Sequence, residues 1–339
     1  MSKKIKLKQV KQGILSAAKG LAVSEHFIVA LTGRKAHIFD KGLHLLHTID
    51  QLYYVYHGYI SPDESKILLV STGNRFYVYS LENFECIQKN SLKGEWNRNI
   101  EGLGAWDYQD DIFLIKAGDF HCCVFYYSVN QTKPIEQVNF PDFWLVHLQR
   151  VESCQKHLLI GYHGENHKAY MIFLSGNCFE EYPIENFDEA VMDAEYNPFL
   201  DKFLIYGSQN AIICDQKGKF VRPAEVKRMV KDNAKSIKNW LDELPFSADQ
   251  KEKLLDNLFD YIGQEQRTGF ENINKLLWSK KLELLYVGTS ERFFIYDREK
   301  KEVFYSKEIP FGVYDIIELE DNRIMLSTWQ GVKIYEIVA

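Results

Sequence analysis

The chain lacks most of the signals that point directly to a function. Cysteine is sparse, and its six positions, Cys86, Cys122, Cys123, Cys154, Cys178 and Cys214, are scattered. No pair of Cys-x-x-Cys motifs occurs, so no zinc site is expected. The thiols read as small reduced hydrophobes, which makes the expected location cytoplasmic. No apolar run approaches the roughly 18 residues of a membrane-spanning helix, and no membrane partner is expected. Met1 to Lys11 is lysine-rich with single apolar residues between, and no signal-like apolar stretch follows. Neither charge sign dominates: 41 Lys plus Arg stand against 47 Asp plus Glu, a net −6. That balance excludes a general electrostatic pull toward nucleic acid. There is no Gly-x-Ser-x-Gly elbow, phosphate loop or dinucleotide fingerprint, so no cofactor is expected and enzyme chemistry has no motif to stand on. Proline, at 8, is also scarce.

What the chain has is aromatic residues and a repeat. Phe 22, Tyr 20 and Trp 6 suit pleated, half-buried surfaces. One block recurs seven times: an apolar strand, a short polar turn, a second apolar strand. Its copies begin at Phe27, Lys66, Asp111, His157, Lys202, Leu282 and Arg323. Gly33, Gly73, Gly118, Gly164, Gly207, Gly288 and Gly331 are read as turn residues with permissive backbone angles. A further apolar strand precedes most copies, starting at Val55, Ile100, Val146, Val191, Ile273 and Val313. A fourth strand follows each hairpin. Four antiparallel strands recurring every 40–45 residues or so are the mark of a β-propeller. The sequence therefore predicts an all-β fold: a seven-bladed β-propeller forming a single domain over residues 1–339. The last copy ends at its third strand, so the N-terminal segment Lys4 to Gln12, which alternates polar with apolar residues, is expected to complete that blade and close the ring. Closure would remove two exposed sheet edges.

The second copy carries a resemblance. Ile60-Ser61-Pro62-Asp63, then a strand, a turn and a strand ending in Tyr79-Ser80, resembles the WD-repeat and related propeller family. Asn197-Pro198 is a weaker echo. No copy has the family's Gly-His dipeptide in place, and no third strand ends in Trp-Asp. The nearest endings are Phe39-Asp40, Cys214-Asp215 and Tyr296-Asp297. The resemblance implies a divergent propeller and, by analogy, interaction work.

Residues 222–268 change character and read as a helical hairpin inserted between blades five and six. Pro223 suits a first helical position. Val226, Val230, Ile237, Trp240, Leu241 and Leu244 follow on one helical face. Pro245 ends that helix, and Ser247 with Gln250 has capping-box spacing. Leu254, Leu255, Leu258, Phe259 and Ile262 make the second stripe. The hairpin is either rim packing or a partner-docking arm.

Candidate sites are of three kinds. Large aromatics fall in the loops that the resemblance puts on the top face: Tyr53, Tyr54, Trp96, Trp106, Phe143, Trp144, Phe187, Phe311 and Trp329. Most are expected to bury between blades. Trp96, Trp144 and Trp329 are expected to stay exposed as anchors for a protein or peptide partner, with Tyr53 beside them and Trp240 from the insertion. Ionisable groups at the third positions of inner strands, His57, Asp193 and Asp315 with Lys275, are expected to line a central channel. They are either hydrated lining or the site of a small-molecule or glycan-handling enzyme. His163 and His167 flank a hairpin turn, and His121-Cys122-Cys123 alternates along a strand, so neither predicts a metal site.

Overall fold

A computed structural model describes residues 6–14, 17–73, 75–92, 102–119, 121–164, 168–187, 190–197, 201–207, 211–221, 273–279, 284–297, 302–319 and 322–338. The inserted hairpin, with Trp240, lies outside the described residues, as does Trp96.

The strands are β1 (Lys6–Ile14), then β2 (Gly20–Val23), β3 (Phe27–Leu31), β4 (Ala36–Asp40) and β5 (Leu45–Ile49) in blade one. Blade two has β6 (Val55–Ile60), β7 (Lys66–Ser71), β8 (Arg75–Ser80) and β9 (Cys86–Ser91). Blade three has β10 (Gly104–Trp106), β11 (Ile112–Ala117), β12 (Cys122–Ser128) and β13 (Glu136–Phe140). Blade four has β14 (Phe143–Val151), β15 (Lys156–His163), β16 (Ala169–Ser175) and β17 (Cys178–Pro183). Blade five has β18 (Asp193–Asn197), β19 (Lys202–Tyr206) and β20 (Ala211–Cys214). Blade six has β21 (Ile273–Trp278), β22 (Leu284–Thr289), β23 (Arg292–Asp297) and β24 (Glu302–Glu308). Blade seven has β25 (Val313–Glu318), β26 (Arg323–Thr328) and β27 (Gly331–Val338).

Each blade is an antiparallel sheet whose strands pair in chain order, and the set is all-β with the strand plan of a seven-bladed β-propeller. β1 lies beside β27 in the order β1-β27-β26-β25, so the N-terminal strand completes blade seven as expected. Blade five departs from the expected four strands. Among the described residues it has three, and a single bridge between Cys214 and Phe220 stands where the fourth would pair. The glycines divide as well. Gly33, Gly118 and Gly331 have positive φ, as turn residues should. Gly288 instead sits inside β22, where an added Cβ would lie 2.9 Å from Val313 Cβ, so close packing rather than a turn requires it.

The chain divides into two compact units, one of residues 13–182 with 330–332 and the other holding the remainder. The first unit contains blades one to four, and its core shows why the strands read as unbroken apolar runs. Side chains alternate faces along a strand. In β12, Cys123, Phe125 and Tyr127 pack with blade two's Leu68, Val70 and Phe76. Their neighbours Cys122, Val124 and Tyr126 pack with blade four's Leu145, Leu159 and Ile172. A central blade is buried on both faces, so both phases of the alternation must be apolar. A side chain such as Phe113, with no exposed surface, contributes about 1.5–3 kcal/mol. Within the second unit, blades six and seven do the same through Tyr286, Phe293, Val313 and Leu326.

Side chain to backbone hydrogen bonds cross the blade boundaries. Trp106 Nε1 donates to Tyr59 O at 2.7 Å, and Tyr59 Oη donates to Gly102 O at 3.1 Å. His157 Nε2 donates to Trp106 O at 3.1 Å, and Tyr108 Oη to Lys156 O at 3.1 Å. Open backbone carbonyls on one blade are thereby satisfied by the next.

Candidate functional site

Strand order gives each blade two loop-bearing edges. The connection into the next blade and the turn between second and third strands share one edge. The first-to-second and third-to-fourth turns share the other.

On the first edge, exposed aromatics gather at two places. In blade seven, Phe311 is 69% exposed and Trp329 47%, with ring centroids 5.9 Å apart. Phe311 has φ 63°, a strained value for a bulky residue, and Gly312 follows at φ 82°. In the β5–β6 connection, Tyr53 and Tyr54 are both exposed and meet edge to face at 4.8 Å. The Arg75 guanidinium lies over the Tyr53 ring at 4.5 Å. Tyr54 too has positive φ, at 48°.

Trp144 is only part-exposed. It stacks on Tyr162 at 6.1 Å, with the buried Lys116 ammonium 5.9 Å from its ring. Trp106, Phe143 and Phe187 are buried, at 5%, 1% and 4% exposure. Trp329 and Tyr53 are exposed as the sequence led us to expect, whereas Tyr54 and Phe311, expected to bury with most loop aromatics, are exposed as well.

The ionisable residues separate. Asp193, Lys275 and Asp315 converge within the second unit. Lys275 Nζ meets Asp193 Oδ2 at 3.3 Å, with both side chains under a third exposed. Tyr206 Oη donates to the same oxygen at 3.1 Å. Desolvation pushes the Lys275 pKa down, but Tyr206 and the carboxylates of Asp193, Asp315 and Glu195 outweigh it and hold the ammonium well above its ordinary range. Burial, reinforced by Asp193, holds the Tyr206 phenol well above its own. At neutral pH the cluster is an ammonium among carboxylates with a protonated phenol beside it. His57 belongs to the first unit, is exposed, and packs where a Cβ on Gly102 would meet its ring.

His163 bonds Asp142 O and Glu181, while His167 lies outside the described residues. Cys122 and Cys123 are buried in different apolar clusters. Among the described residues no group of three or more His, Cys, Asp or Glu is placed to hold a metal ion.

The sequence reading missed two adjoining clefts on the second edge of blades two to four. The larger, about 550 Å³, is lined by the turn Ser61–Lys66, by the turn Asp107–Asp111, and by Arg150. The smaller, about 220 Å³, is lined by Tyr126, Glu136, Gln155 and His157, and shares Asp107, Tyr108 and Gln109 with the first. The Ser61-Pro62-Asp63 turn that carries the family resemblance forms one wall. Ser61 Oγ and Ser65 Oγ each donate to Asp63 at 2.6 Å. Desolvation raises the Asp63 pKa, but those hydrogen bonds and Lys66 outweigh it and bring the value to about 2. A visible signal existed: Asp107, Asp110 and Asp111 within one five-residue turn.

Comparison with protein-family models found no match to this chain, and comparison with curated protein sequences found none either.

Proposed function

We propose that this protein is a non-catalytic binding scaffold that holds a protein or peptide partner on the first edge of its blades. The observation that carries the reading is the Phe311–Trp329 pair, two large exposed rings side by side, with Phe311 on strained backbone next to Gly312. Leaving that much aromatic surface exposed forfeits several kcal/mol of burial that a bound apolar side chain would recover. Tyr53 and Tyr54 offer a second aromatic contact on the same kind of edge. Rigid aromatics on short loops lose little side-chain entropy on binding, which suits them as anchors. Trp144 is a weaker contributor because Tyr162 already covers one face.

A second reading places small-molecule or glycan chemistry at the Asp193–Lys275–Asp315 cluster. It draws on the convergence of those charges. Their mutual neutralisation supports a structural role instead, because a general base or acid works best with a pKa near the operating pH.

The test is affinity capture from native lysate, comparing the intact protein with Phe311→Ala/Trp329→Ala and with Tyr53→Ala, followed by titration of the purified partner. The reading expects a specific protein retained by the intact chain and weakened at least about tenfold by the double substitution. Equal retention by all three proteins would remove the first edge from consideration. A variant with residues 224–268 replaced by a short linker reports whether the insertion adds to the contact.

A further inference from the structure

The paired clefts on the second edge of blades two to four are a site in their own right. We propose that they form a second binding site, which takes a basic segment of a partner protein, with one arginine side chain seated in the smaller cleft between Asp107 and Glu136.

The volume comes first. The larger cleft, about 550 Å³, falls within the range of about 300–1,000 Å³ common for ligand sites. The smaller, about 220 Å³, is several times the roughly 30 Å³ share of one water. The pair shares Asp107, Tyr108 and Gln109, so a chain lying in the first can send a side chain into the second.

The charge comes next. Two cations line the larger cleft, and both are already engaged. Lys66 Nζ pairs with Asp111 at 2.9 Å. Arg150 lies over the Tyr108 ring at 4.2 Å, donates to Asp107 O at 3.2 Å, and pairs with Glu152 at 2.7 Å. No Lys or Arg among the described residues forms an ion pair with the side chains of Asp107, Asp110 or Glu136.

Asp107 decides the chemistry. Its side chain is only 13% exposed, and the nearest basic group is the His157 ring at 3.7 Å. Desolvation lowers the His157 pKa more than its bond to Trp106 and the Asp107 charge raise it, so the ring is neutral. Because Nε2 donates to the Trp106 carbonyl, Nδ1 of the neutral ring is left as an acceptor. Tyr126 spends its hydroxyl proton on Gly176 O at 3.0 Å, and its oxygen too is left to accept. The small cleft therefore presents acceptors from Asp107, Glu136, His157 and Tyr126, two of them carboxylates, beside the neutral side chains of Gln109, Gln155 and Ser175. A largely buried carboxylate facing a neutral ring is costly until a cation arrives. A guanidinium, with five donors in a planar fork and weak hydration, fits that lining better than an ammonium.

The test uses the full-length protein and a fluorescein-labelled, amidated peptide of sequence Ser-Gly-Arg-Gly-Arg-Gly-Ser, titrated by fluorescence anisotropy at low salt. Its twin carries citrulline in place of arginine, equal in shape but uncharged. Saturable binding of the arginine peptide is expected, with the citrulline twin at least about tenfold weaker. Asp107→Asn and Glu136→Gln should each weaken binding several-fold, whereas Glu308→Gln in blade six should not change it. Should Asp107→Asn fail to fold, Asp110→Asn/Glu136→Gln carries the same expectation from more exposed positions. Equal binding of the two peptides, unchanged binding by the acidic-residue variants, or no saturation by about 1 mM would each overturn the proposal. Spermidine binding more tightly than the arginine peptide would also overturn it, assigning the cleft to a small polyamine. Because Phe311 and Trp329 line neither cleft, their substitution leaves this titration unchanged, so either site can fail without the other.

Discussion

Replacing Trp106 with Phe tests how adjacent blades are held together. The indole is 5% exposed, and its Nε1–H donates to Tyr59 O at 2.7 Å across the boundary of blades two and three. Phe keeps a ring to pack on Phe113, now 5.7 Å away, but it removes the donor. An enclosed carbonyl left without its partner loses about 1–3 kcal/mol. The missing part of the indole gives up roughly 40 Å² of apolar burial, about 1 kcal/mol at ~25 cal/mol per Å². Trp106→Phe should therefore destabilise the protein by about 2–4 kcal/mol. In urea unfolding followed by circular dichroism, that lowers the midpoint by roughly 1 M if the slope is about 3 kcal/mol per M. Tyr108→Phe is the internal comparison. It removes the bond from Tyr108 Oη to Lys156 O at 3.1 Å, but from a part-exposed side chain whose partner water can reach. Its expected loss is about 0.5–1.5 kcal/mol. A Trp106→Phe midpoint no lower than that of Tyr108→Phe would refute the claim that the indole N–H secures this boundary.

Three further substitutions test the packing and the charges. Gly20→Ala would put a Cβ 1.8 Å from Tyr56 O, where only backbone movement gives relief, so blades one and two should separate and soluble yield should collapse. Gly176→Ala, at φ 56° with nothing within 4 Å, should lose only about 1 kcal/mol to strain, and comparing soluble yields checks both. Lys275→Met removes the cation facing Asp193 and should lose about 2 kcal/mol near pH 7, between the ranges for surface and buried pairs. The Lys275 pKa is raised in the fold, so its contribution is fully present below the ordinary lysine value of about 10.4 and is lost as pH rises through the folded value. Urea midpoints across alkaline pH should accordingly fall less steeply in Lys275→Met than in the intact protein. Equal slopes would show that Lys275 does not carry the linkage.

The blades were legible in sequence because a propeller strand buried on both faces leaves an apolar run that can be counted. β12 shows it: neighbouring residues Cys122 to Tyr127 belong alternately to two cores, so no polar residue interrupts them. The pairing of β1 with β27 was legible from the missing fourth strand alone. Blade five was not, because among the described residues a single bridge at Phe220 stands where the fourth strand would pair, and a strand is defined by pairing rather than by side-chain type. Exposure was the least legible property. Trp106 and Trp329 have similar loop-like surroundings in sequence, yet one donates into the next blade and the other projects into water. The clefts went unread because their walls come from turns about 45 residues apart, Ser61–Lys66 and Asp107–Asp111, whose proximity only blade stacking creates.

Trp106, Asp107, Tyr108, Arg150 and His157 both line the clefts and tie blades two, three and four together. That double role fixes the backbone of the acidic clefts: Asp107 N donates to Ile112 O, its carbonyl accepts from Arg150, and its neighbours Trp106 and Tyr108 are bonded to blades two and four. A preorganised anion meets a cation without first being ordered, and the ordering cost then falls on the partner segment alone. The aromatic pair is built differently, with both rings exposed on loops of blade seven. The two compact units make the difference measurable, because a ligand stabilises the unit that it binds. At a hundredfold excess over Kd, an arginine peptide in the clefts would add about 2.7 kcal/mol to openings that expose them. Slower amide exchange would then concentrate in blades two to four. A partner on Phe311 and Trp329 would slow exchange in the other unit, where both residues lie. Protection confined to blades six and seven on adding the arginine peptide would place the basic segment on the aromatic edge and leave the clefts to their structural role.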